Sequence, residues 1–222
     1  MDYPIVLALE DFVPVILGST GFALLSRTAP TARAQQAGLA GAVLIGLGGV
    51  SKCIWKLAFS AEVGDWTLFE QALFPLMAAG ATLLAWALAV TVRHGRRTHA
   101  WPFALAFALC VAGAIFGQSL NPLFVAATLG VTAVSVLGAI IAARYQQWWA
   151  VSLYVLGLVL VMGLVPLRGS DSHHTLAFQW LEQGINTSAQ AALLAAAWLT
   201  LRASRRASRQ ASRNSANVGA SQ

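Results

Sequence analysis

Pro122–Ala143 reads PLFVAATLGVTAVSVLGAIIAA, 22 residues without a charge, an amide or an imidazole. As a helix rising about 1.5 Å per residue it is about 33 Å long, which matches the hydrocarbon core of a bilayer. Arg144 closes it on one side. On the other, Gln118, Ser119, Asn121 and Pro122 cluster as a breaker. This segment and the apolar stretch before it are therefore two helices joined by a tight Asn121-Pro122 turn.

Outward from there, six more stretches reach the about 20 apolar residues a span needs. They are Pro4–Leu25, Ala37–Phe59, Leu68–Val92 and Trp101–Leu120 on one side, and Trp148–Leu167 and Thr175–Leu201 on the other. A soluble domain carries roughly 25% charged residues. This chain of 222 residues is 10% charged and 58% hydrophobic, too little polar surface to cover itself in water. Lipid must be its solvent over most of its length. The expected fold is all-α, a polytopic membrane protein with seven transmembrane helices over residues 1–201 and a basic Ser/Arg-rich tail over residues 202–222. The opening Met1-Asp2-Tyr3 lacks the basic region of a secretory signal, so the first apolar segment is expected to be retained.

The basic residues set an orientation. With the N-terminus outside, the cytoplasmic segments hold Arg27, Arg33, Arg93, Arg96, Arg97, Arg144, Arg202, Arg205, Arg206, Arg209 and Arg213, eleven of the fourteen Lys and Arg. All eight acids then fall in the outer half. Trp66, Trp101, Trp148 and Trp149 stand at helix ends, where interfacial aromatics belong. The expectation is N-out/C-in, multi-pass, in a membrane of the bacterial plasma or inner type. The net charge of +6 is then a matter of topology, and no nucleic-acid partner is expected. Ala203-Ser204-Arg205 recurs at 207–209 and 211–213. Such a tail is expected to be disordered or drawn onto anionic lipid.

A shift of 112 residues lays the first helix on the fifth and the third on the seventh without a gap. Phe12-Val13, Leu17-Gly18 and Thr20 meet Phe124-Val125, Leu129-Gly130 and Thr132. Glu70-Gln71 meets Glu182-Gln183, Trp86 meets Trp198, and Lys56 falls opposite Arg168. The implied architecture is 3+1+3 with parallel repeats. At the level of fold it resembles the seven-helix exporters of the PQ-loop and SWEET class, and microbial rhodopsins. The chain has no proline-glutamine dipeptide and no lysine in its seventh helix, so no residue role is carried over from either.

Charges inside a span cost about 2.5–3.5 kcal/mol each and tend to be paired or functional. Glu10 and Asp11 lie about two turns into the first helix, and the second returns with Lys52 and Lys56 at a similar depth. The expected pairing is Lys52 with Glu10 or Asp11, with Lys56 snorkelling. Glu70 and Gln71 join them from the third helix. In the seventh, Thr175, Gln179, Glu182, Gln183, Asn186 and Gln190 share an arc of about 100°. Facing lipid, that stripe would leave amides unsatisfied, so it faces the bundle interior. His173 and His174 stand at its mouth. Pro14 and Pro75 are expected to kink the first and third helices beside the cluster.

The ligand-binding or proton-site candidates are Glu10, Asp11, Lys52, Glu70, Gln179, Glu182, Asn186, Gln190, His173 and His174. Cys53 and Cys110 read as small apolar residues, and the absence of CxxC, HxxxH, HExxH and GxSxG speaks against metal hydrolysis and serine chemistry. No metal or cofactor is expected. The leading reading is a proton-linked transporter or binding protein for a small polar solute. The alternatives are a lipid-modifying enzyme of the outer leaflet and a structural or sensory membrane subunit, in both of which the same groups serve as acid and base or as a register-fixing network.

Overall fold

The computed structural model describes residues 5–93, 98–168 and 175–220, the side chains of 165–168 and 215–220 excepted. Seven helices run in order: α1 (Ile5–Ser26), α2 (Ala32–Ser60), α3 (Thr67–Val92), α4 (Trp101–Phe116), α5 (Asn121–Arg144), α6 (Trp148–Arg168) and α7 (Leu176–Ala220). There is no strand among the described residues. Each expected apolar stretch forms one of these helices. The chain has the helices of a membrane protein, because α1, α2, α3 and α5 are long and apolar enough to cross a bilayer. Trp101–Phe116 and Trp148–Leu164 are shorter apolar helices. In α7 the apolar run is interrupted by Glu182, Gln183, Asn186 and Gln190.

Local chemistry sets the helix ends. Thr31 caps α2, its hydroxyl accepting from the Ala34 N–H at 3.3 Å, so α2 begins before the purely apolar run. The α4 helix stops at Phe116, short of the expected Leu120. Gln118 there takes a left-handed φ of 46°, its N–H reaches Ile115 O, and the Ser119 N–H reaches back to Ala114 O at 3.1 Å. That double closure satisfies the last carbonyls of a helix. It recurs at Glu62 (φ 56°) after α2 and at Gln146 (φ 55°) after α5, each time without a glycine. Beyond the apolar part, α7 continues unbroken through the basic tail to Ala220.

The prolines interrupt two helices as expected. The α1 helix divides into Ile5–Glu10 and Phe12–Ser26, and α3 into Thr67–Gln71 and Leu73–Val92. Pro14 has no N–H to donate to the Glu10 carbonyl, nor Pro75 to that of Gln71, and each break falls just after the carbonyl left over.

Six helices close into a ring. The α1 helix packs on α2 and α7, α2 on α3, α3 on α5, α5 on α6, and α6 on α7, while α4 lies outside against α5 and α3. Glycine makes the tightest crossings possible. A β-carbon on Gly41 of α2 or Gly80 of α3 would fall 2.5 Å from the other's carbonyl oxygen, and one on Gly21 of α1 would fall 3.1 Å from Leu194 Cα of α7. All six ring helices feed one apolar core that includes Phe22, Ile45, Leu84, Leu88, Ile141, Tyr154 and Leu193. These residues lie toward the ends of α1, α3 and α5 and the beginnings of α2 and α6. The core therefore occupies one end of the ring, beside Arg27, Arg33, Arg93 and Arg144.

Candidate functional site

The opposite end of the ring gathers the polar side chains, beside a second apolar cluster of Ala78, Leu123 and Ala127 with α4. Residues at the beginnings of α1, α3 and α7 and near the end of α2 meet there. Asp11 sits at the proline break of α1, 8% exposed, and its Oδ2 lies 2.5 Å from the Lys56 Nζ. An ion pair thus forms with Lys56, and Lys52, to which the sequence pointed, is not without a partner either. The α1–α2 register brings Asp11 to the level of the lysines. It is set at the far end of the hairpin, where Ser26 lies on Gly38, followed by Ser19 on Gly46 and Val15 on Gly49. Continued in the same steps, Asp11 arrives level with Cys53, between Lys52 and Lys56.

Glu10 turns to the other neighbour of α1. The Thr187 hydroxyl of α7 donates to Glu10 Oε1 at 2.8 Å, and Glu10 Oε2 is buried without a hydrogen-bond partner. Three residues further along α7, Gln190 lies on α1, so that a β-carbon at Gly18 would meet its Oε1 at 2.6 Å. Gln183, one turn before Thr187 on the same face, is 7% exposed, and its Nε2 also has no partner. Thr187 and Gln183 are the residues the sequence-based site set left out. Gln183 lies on the polar arc of α7 and Thr187 about 40° beyond its edge, and spacing of i, i+4 and i+7 from Gln183 through Thr187 to Gln190 was the available signal.

The remaining candidates distribute around these two contacts. Lys52 and Glu182 are half-buried, and neither is without a partner. Gln179 and Asn186 are half-buried on α7. Glu70 stands on the α2–α3 side, next to Phe69, whose carbonyl accepts from the Ser51 hydroxyl at 2.5 Å. Trp55 and Asp65 join at 2.8 Å beyond them. His173 and His174 lie outside the described residues. The structure therefore joins Glu10 to the α7 stripe and Asp11 to α2, and leaves Glu70 in a third place. Among the described residues no three His, Cys, Asp or Glu side chains gather as a metal-binding group. What the arrangement offers is carboxylates, amides and hydroxyls able to hold a hydrogen-bonding or charged small group. Comparison with known protein families, with characterised proteins and with solved structures finds no match to this chain.

Proposed function

We propose that the seven helices are seven transmembrane spans of an N-out/C-in protein of a bacterial-type plasma membrane, and that the polar end of the ring is an outward-facing site for a small polar solute in proton-linked transport or binding. One observation carries the reading, the segregation within the ring. Glu10, Asp11, Lys52, Gln183, Asn186 and Gln190 collect at one end, and the packed apolar core closes the other. A register-fixing network needs one or two buried pairs. Polar side chains gathered on one side of an apolar core suit a site reached from that side.

The ring also supports the 3+1+3 parallel repeat. Shifted by 112 residues, α1, α2 and α3 become α5, α6 and α7, and the α1–α2 and α2–α3 contacts become the α5–α6 and α6–α7 contacts that exist. The α3–α5 contact becomes α7–α1, which closes the ring. Registers follow. The Gly41–Gly80 crossing maps to Leu153 and Ala192, and α6 meets α7 at Gly157 with Ala189 and Leu193. The Gly130–Ala81 crossing maps to Gly18 and Leu193, and α1 meets α7 at Gly18 with Gln190 and at Gly21 with Leu193 and Leu194. The α4 helix, outside the ring, is the linker. Its 16 residues span about 24 Å, a deficit that local thinning of the bilayer absorbs.

Glu182 is the proton carrier in this reading, with Asn186 and Gln190 below it to hold solute. The test is reconstitution in vesicles with an interior pH dye and a panel of amino acids, polyols and small amines outside. One class of solute should evoke proton movement, and Glu182→Gln should abolish it with folding intact. Proton movement unchanged in that variant removes Glu182. Lipid turnover that needs Glu182, without solute movement, selects the enzyme reading instead.

A further inference from the structure

We propose that the α1–α7 seam binds one bare monovalent cation of about sodium size between the Glu10 carboxylate, the Gln183 amide and the Thr187 hydroxyl. The two helices run parallel and cross where Gly21 meets Leu194. Eleven residues back along each lie Glu10 and Gln183, so these two stand level, with Thr187 one turn deeper and bonded to Glu10. Glu10 Oε2 and Gln183 Nε2 are both sealed and unpartnered, and Gln183 is more than nine-tenths buried. A buried orphan carboxylate oxygen in a native protein calls for an ion or a water. Neither atom touches solvent, so an ion held there has shed its water. The Gln183 amide can present oxygen instead of nitrogen to the same point by turning over, since only contacts decide its orientation. Pro14 frees the Glu10 carbonyl on the same turn of α1, adding a main-chain oxygen.

Charge selects the ion. Among the described side chains at this end the carboxylates, Glu10, Asp11, Glu70 and Glu182 among them, outnumber Lys52 and Lys56, and Asp11 already has Lys56. One positive charge beside Glu10 reduces the excess of carboxylates. Two would overcompensate the one carboxylate present in a medium that does not screen. A donor set made of oxygens alone favours hard cations. Helix breaks whose freed carbonyls meet a carboxylate are where membrane transporters hold coupling ions. As a coupling ion this one rests on the transport reading. As a bound ion it does not.

The experiment is thermal unfolding of the purified full chain in detergent, at fixed pH and ionic strength, with sodium replacing N-methylglucamine. Sodium should raise Tm saturably, by roughly 5–10 °C at 100-fold excess over Kd, and potassium should do so more weakly. Glu10→Gln should remove the shift. Thr187→Ala, which keeps the carboxylate, should weaken apparent affinity about tenfold and covers the case in which Glu10→Gln does not fold. Ser208→Ala in the tail should leave it unchanged. Equal Tm in sodium and N-methylglucamine at every concentration overturns the proposal. So does a stabilisation that follows pH alone and is lost in Glu10→Gln, since the occupant is then a proton. Sodium binding without solute flux overturns the transport reading and keeps the site, and flux without sodium binding does the reverse.

Discussion

Asp11 and Lys56 carry a sharp consequence at the scale of single residues. Truncating one partner of a buried pair strands the other's charge, whereas replacing both with apolar residues of like size is close to neutral. Lys56→Ala should therefore cost about 3 kcal/mol, and Asp11→Leu with Lys56→Met together much less than the two singles summed. Unfolding in detergent across the double-mutant cycle checks this, and additive losses would mean that the pair is not coupled. The charged level was legible in the sequence, because charges in apolar helices cannot be incidental. The Asp11–Lys56 pair itself was not, because Lys52 and Lys56 share a face and differ by one turn. Thr187 escaped notice for another reason. A hydroxyl costs little in an apolar helix, since it can bond its own backbone, and so it does not stand out.

At the scale of elements, three helices end on a left-handed residue that is not glycine. Such a residue is strained by about 1 kcal/mol relative to glycine. Gln118→Gly and Gln146→Gly should each raise stability by up to that amount, and Gln146→Val should lower it. Melting temperatures of the three variants decide the sign. The glycine crossings predict the opposite for added bulk. At Gly41 and Gly80 even one methyl collides with backbone, so Gly41→Ala and Gly80→Ala should each lower Tm, and the double variant by less than the sum, because one separation of α2 from α3 relieves both. That the helices exist was legible from apolar length and from Asn121-Pro122. Their ends were less so. A helix closed by Gln118 lacks the glycine that marks such a stop, and the α7 tail carries charge without the breaker that would end it.

For the whole molecule, the ring order was not legible from apolar length alone. Every ring helix is apolar on several faces, and only the small-residue contacts decide which faces meet. The internal likeness at 112 residues was the one long-range signal. On the proposed topology, reporter fusions at Arg97 and at Gln222 should both report cytoplasm, and opposite locations would end the seven-span reading. The fate of α7 beyond the membrane has its own consequence. At about 1.5 Å per residue its 45 residues make a rod about 67 Å long, with no proline to bend it. Its first third carries the polar seam with α1, its middle is buried against the bundle up to Ala203, and its last 17 residues project about 26 Å beyond. A rod held near its middle is a lever. A tilt of about 10° at the seam, as α1 and α7 part, sweeps the arginine-bearing tip through about 4.5 Å, so an event at one face of the bundle is delivered as displacement at the other.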